Sequence, residues 1–184
     1  MNILDLLDGV VWKPVSTLNL IAREKPVGWA LSIFALSTLL GLVSTDYSVF
    51  EPLQISPTLF IIIQIVVSIA GLFVFAGLLH LVAPLFKGHK DYWGLFSALG
   101  FANFPGFLSP VAAVLGNTAG MAGAILGGVI SVAAGIWMLV LYLIALRENC
   151  RISTGASILT YLVALIVVVL AVMVIFFLLV LKMR

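Results

Sequence analysis

From residue 92 to residue 146 the chain runs 55 positions without one Asp, Glu, Lys or Arg. A soluble fold cannot tolerate this, because it must cover its outside with polar side chains. Residues 26–45, 52–86 and 152–181 are free of these charges too, so that 64% of the chain is apolar and only 9% charged. An ordinary soluble domain is about 25% charged. A bilayer removes the requirement for a polar exterior. The sequence therefore predicts an all-α, polytopic transmembrane helical bundle embedded in lipid.

A helix needs about 20 apolar residues to cross ~30 Å of hydrocarbon, so the charge-free stretches serve as a ruler. Residues 26–45 fit one span. A second begins after Pro57 and ends near Pro84. The long run divides best at Gly116-Asn117-Thr118, giving spans of roughly 94–115 and 119–146. Residues 152–181 supply the last, for a total of about five. Pro105 and Pro110 remove backbone donors from the third span and must kink it. Whether that span is continuous or broken there is left open by the sequence.

Orientation follows from the basic residues of the short loops. With the N-terminus inside, the cytoplasmic segments hold Lys13, Arg23, Lys25, Lys87, Lys90, Arg147 and Arg151. The outer loops, around residues 46–51 and 116–118, hold none; only Lys182 and Arg184 go against the rule. The C-terminus is then outside, as expected for a protein of a prokaryotic inner membrane. A cleaved signal peptide is not expected, because Asp5, Asp8 and Glu24 precede the first long apolar run.

Residues 1–26 read as short amphipathic helices at the cytoplasmic interface, and residues 27–182 as the transmembrane domain. Ile3, Leu4, Leu6, Leu7, Val10 and Val11 recur at helical spacing. Pro14 suits the first turn of a second helix with Val15, Leu18, Ile21 and Ala22 on one face, and Ser16, Thr17, Asn19 and Arg23 facing away. Trp12 and Trp29 suit the headgroup zone. Such a segment is either a lid on the bundle or a platform for a cytosolic partner.

Small residues mark where membrane helices approach closely. In the fourth span Gly116, Gly120, Ala124 and Gly128 recur every four residues, with Gly127, Ser131 and Gly135 as a second ridge. In the second span Gln64, Ser68 and Gly71 share one face, with Ala76, Gly77 and His80 roughly opposite, which suits a central helix. The fifth span has Ala156, Thr160, Ala164 and Ala171 on one stripe and should be peripheral.

Chemistry is scarce. No Asp, Glu, Lys or Arg falls within an assigned span, which argues against a proton relay or an intramembrane protease. His80, His89, Asp91 and Cys150 lack metal-ligand spacing. No nucleotide-binding or nucleophile motif occurs, so neither catalytic residues nor a cofactor are expected. A net charge of +2 is too small to suggest nucleic acid as a partner. The lone Cys150 has no internal disulfide partner and should react with an impermeant maleimide from the cytoplasmic side. The polar residues Gln64, Ser68, His80 and Asn103 remain a possible intramembrane polar site.

Four segments together resemble the Yip1 family of integral membrane proteins, in its prokaryotic branch. They are Val11-Trp12-Lys13-Pro14 through Arg23-Glu24-Lys25-Pro26, and Leu79-His80-Leu81 followed by Phe86-Lys87-Gly88. The third is Gly100-Phe101-Ala102-Asn103-Phe104-Pro105, where Gly100, Phe101 and Pro105 resemble a Gly-Tyr-x-x-x-Pro pattern with Phe in place of Tyr. The fourth is Trp137 through Ala145-Leu146-Arg147, then Ile152-Ser153 and Ala156. The resemblance implies the same inside-to-outside topology. Eukaryotic relatives are linked to Rab-type GTPases, but their acidic Asp-Leu-x-Gly-Pro element is replaced here by Lys25-Pro26-Val27-Gly28, which puts GTPase binding in doubt.

The expected function is a non-enzymatic membrane scaffold or adaptor that binds lipids, another membrane protein or itself through small-residue helix faces and its cytoplasmic surface. The competing expectation is a small transporter, channel or accessory permease subunit with Gln64, Asn103 and Ser109 lining a path.

Overall fold

Where it is described, each charge-free stretch is built of helix, because in hydrocarbon a helix satisfies its own backbone hydrogen bonds. The computed structural model describes residues 2–42, 56–89, 91–118 and 120–182, and no strand occurs among them. Thr45, the loop at residues 46–51, Lys90 and Arg184 lie outside the described residues.

Two short helices, α1 (Ile3–Trp12) and α2 (Pro14–Glu24), precede α3 (Val27–Leu42). Next come α4 (Pro57–Val82) and a 3-10 turn, Ala83–Phe86. The third span is α5 (Tyr92–Ala102), a 3-10 segment Phe104–Leu108, and α6 (Ser109–Thr118). Two long helices, α7 (Gly120–Cys150) and α8 (Thr154–Lys182), complete the chain.

Four elements are long and apolar enough to cross a bilayer: Pro57–Phe86, Tyr92–Thr118, Gly120–Cys150 and Thr154–Lys182. The first expected span, α3, has 16 described residues, about 24 Å of helix. Its expected end lies outside the described residues.

Helix ends follow local chemistry. Asn2, Ser56 and Asp91 cap α1, α4 and α5, their side chains accepting from Leu4, Leu59 and Gly94 N–H, which satisfies donors a helix start leaves free. At the other termini Lys25, Lys87 and Arg151 turn the chain in the left-handed region, at φ of 52°, 61° and 55°. All three side chains are exposed, and a cation at a helix C-terminus complements its dipole.

The turn between the third and fourth spans differs from expectation. Gly116, Asn117 and Thr118 continue α6, and the left-handed residue is Gly120, at φ 57°. Gly116 therefore belongs to α6 rather than to the ridge of the following helix.

The core also has a different centre. Gly94 through Ala102 of α5 are all buried, whereas α4 buries only Leu72, Ala76, Leu79 and Val82. Half of the most apolar stretch of the α5–α6 span is buried, against 11, 22 and 6% for α4, α7 and α8. The third span, not the second, is thus the post around which the others stand. Peripheral α8 behaves as its sequence suggests, with Thr160 and Ala164 buried but most of its apolar surface open to lipid.

Short α2 is packed into this same core. Leu18 and Ile21 are fully buried and Ala22 nearly so. Val15 is exposed instead, and Thr17 takes the buried place, closing against Gly9 of α1. Trp12 stays 76% exposed.

Because α5 carries the packing, Leu99→Ala should lower stability by about 2–5 kcal/mol. Leu170→Ala on the open face of α8 should change it by less than about 0.5 kcal/mol. Reversible unfolding in mixed micelles checks both; equal losses would remove α5 from the centre.

Candidate functional site

The break in the third span begins where helix-competent residues meet Pro105. Proline has no N–H to bond the carbonyl four residues back, and its ring crowds that turn. The chain leaves the α-helix at Asn103, passes through the 3-10 segment and restarts at Ser109. Backbone groups released inside a membrane must find partners.

Asn103 supplies partners for two of them, the Leu99 carbonyl and the Gly106 N–H. Its Nδ2 donates to the Leu99 carbonyl at 3.0 Å and to the Tyr142 hydroxyl at 2.7 Å. Its own carbonyl accepts from the Gly106 N–H at 2.9 Å and from the Ser37 hydroxyl at 3.1 Å. One residue, only 8% exposed, thereby ties α3, α5 and α7 together. Tyr142 continues the network into an aromatic cluster with Phe75 of α4 and Tyr161 of α8.

Close packing seals the same place. A Cβ on Gly100 would lie 2.8 Å from both the Cβ and the carbonyl oxygen of Ala30. One on Gly106 would collide with the Ser37 hydroxyl. Phe101 and Pro105 are buried. The Gly100, Phe101 and Pro105 pattern therefore marks where α3 crosses the broken span.

The other polar candidates stand apart. Gln64 and Ser68 are half-buried on α4, and no hydrogen bond among the described residues links either of them to Asn103. His80 packs edge-on against Tyr92, with ring centroids 5.9 Å apart. The network partners of Asn103, Ser37 and Tyr142, had no sequence signal beyond being polar residues in apolar runs.

On α7 the second expected ridge splits, with Gly127 packed away from the open Ser131 and Gly135. Gly123 and Gly127 are buried, and a Cβ on Gly127 would strike the Ala112 carbonyl of α6. Gly128 and Gly135 would meet nothing within 4 Å, and Gly120, Ala124 and Ser131 are exposed. Gly116 on α6 likewise faces open space.

A third assembly closes the charged end of the bundle. Lys25 Nζ reaches Asp91 at 3.1 Å, and Asn19 donates to Glu148 at 3.2 Å. Asn149 Nδ2 donates to the Asp91 carbonyl at 2.9 Å, and the His89 N–H to the Cys150 carbonyl at 2.7 Å. These bonds join α2, the turn before α5 and the end of α7. Cys150, 2% exposed, is too enclosed for the maleimide reaction expected of it.

A sequence model of the Yip1 domain matches residues 9–176. The chain belongs to the Yip1 domain family. No curated protein sequence and no solved structure matches it. The matched region of this Yip1 domain takes in α2, the broken span and the network around Asn103. The protein is therefore a multi-pass integral membrane protein of the Yip1 type.

If the Asn103–Tyr142 bond joins helices as described, a double-mutant cycle with Asn103→Leu and Tyr142→Phe should give coupling of about 0.6–1.7 kcal/mol, the range for interhelical bonds in membranes. Zero coupling would separate the two residues. Gly100→Leu should cost more than either, because the overlap is with the backbone of α3.

Proposed function

We propose that this Yip1-domain protein is a non-enzymatic membrane scaffold that receives a transmembrane helix of a partner on the open face of α7. The observation that carries the reading is the stripe Ala124, Gly128, Ser131 and Gly135, which spans about 60° of the helix at 100° per residue. Space is empty where Cβ atoms of Gly128 and Gly135 would stand. Glycine in a helix costs about 1 kcal/mol relative to alanine, and lipid contact gives nothing back for it. A second helix does, by approaching closely enough for backbone contact.

Gly120 is not part of this stripe. Its left-handed backbone explains it without a partner. The informative substitutions are therefore Gly128→Leu and Gly135→Leu, which fit the monomer. Cross-linking in native membranes, followed by extraction in mild detergent, should show the complex lost in the double variant and kept in Val129→Leu on another side of α7. Differently tagged copies tell a second copy from another protein. Undiminished complex in Gly128→Leu/Gly135→Leu would remove the reading.

We infer further that the charged end faces the cytoplasm, a reading supported by Lys13, Arg23, Lys25, Lys87, Arg147 and Arg151 at that end. An engineered Ser16→Cys, at an exposed position, should react with an impermeant maleimide only after the membrane is opened. Labelling in intact cells would invert the topology.

A further inference from the structure

A cleft of about 220 Å³ opens between α2, the turn before α5 and the end of α7. It has room for a group of several heavy atoms, since one water occupies about 30 Å³ of liquid. Its two carboxylates are already engaged. Asp91 binds Lys25, and Glu148 takes Arg147 at 2.8 Å together with the Asn19 amide. Two guanidinium groups in the lining, those of Arg23 and Arg151, make no ion pair or hydrogen bond among the described residues. The cleft therefore carries surplus positive charge in the form best suited to forked recognition of a phosphate.

A second, independent feature lies in the same wall. Asn149 lines the cleft and is only 6% exposed, yet its Oδ1 accepts no hydrogen bond among the described residues. Turning the amide over would not help, because Nδ2 would then lose the Asp91 carbonyl. A buried acceptor left without a donor is costly, so a bound group that supplies one is favoured. An adjoining hollow of about 440 Å³ shares Asn19 and Glu148 and runs to Lys13 and Val15, beside the exposed Trp12. Tryptophan favours the headgroup zone of a bilayer.

We infer that the cleft binds a phosphate ester bearing a hydrogen-bond donor, its phosphate held by Arg23 and Arg151 and its hydroxyl or ammonium group given to Asn149 Oδ1. Such chemistry belongs both to a phospholipid headgroup of the adjacent leaflet and to a soluble glycerol or sugar phosphate. The site is separate from the open face of α7, so Gly128→Leu/Gly135→Leu leaves it intact.

The test uses the full chain in an uncharged detergent, titrated calorimetrically with sn-glycerol 3-phosphate, dihexanoyl phosphatidylglycerol and dimethyl phosphate. One equivalent of a glycerol-bearing probe should bind saturably, with dimethyl phosphate, which has no donor, at least about tenfold weaker. Arg23→Gln and Arg151→Gln should each weaken binding about tenfold or more without changing the unfolding temperature, since both side chains are exposed. Tenfold tighter binding of the short-chain lipid assigns the site to a headgroup, and equal affinity to the soluble ester. The inference is overturned if neither glycerol probe saturates, if the double arginine variant binds like the parent, or if dimethyl phosphate binds as well as glycerol phosphate.

Discussion

Every backbone N–H and C=O inside hydrocarbon must be bonded within the protein, and the structure of this chain turns on the one place where a helix cannot do that alone. Pro105 interrupts the third span, and water is not at hand to solvate the released groups. The repair is distributed. Asn103 bonds back to Leu99 with its side chain, while its carbonyl takes Gly106 and Ser37. Gly100 lets the α3 backbone come close enough for that to happen. The break is thus a joint between three helices and not a gap.

From this joint toward the charged end the bundle is tightly packed, and α5 is enclosed along nearly its whole length. Toward the opposite end α4, α7 and α8 present mostly lipid-facing side chains. The hydrophobic effect does not draw helices together in lipid, so an apolar surface there does not by itself need a partner. What distinguishes α7 is the missing Cβ atoms on part of that surface. The two ends consequently suit different tasks: helix recognition within the membrane, and polar recognition at the charged rim, where Lys25, Asp91 and Asn149 hold α2 against α5 and α7.

Charge-free length was enough to place the helices, because an unpaired charge in hydrocarbon costs more than any local preference. Proline positions marked the damaged span, although not the manner of its repair. Other features were illegible for definite reasons. Gly116-Asn117-Thr118 has turn chemistry, but the left-handed backbone at Gly120 ends the segment instead. The small faces of α4 suggested a central helix, yet Gly71 meets nothing within 4 Å. In α5 the signal was hidden, since Gly94 and Gly100 lie among aromatic residues that disguise a close-packing face. Val15 and Thr17 exchanged places because Thr17 had the small Gly9 to close against. The cleft at the charged end draws on residues more than a hundred positions apart, so no local pattern could reveal it.

In this architecture the broken span is sealed, and amide hydrogen exchange of the protein in lipid nanodiscs tests that directly. The amides of Asn103, Gly106 and Phe107 should exchange slowly, on the scale of neighbouring Leu99 and Phe101 in α5. Exchange as fast as that of exposed turns would mean that water reaches the break, and the segment would then line an aqueous path instead of closing one.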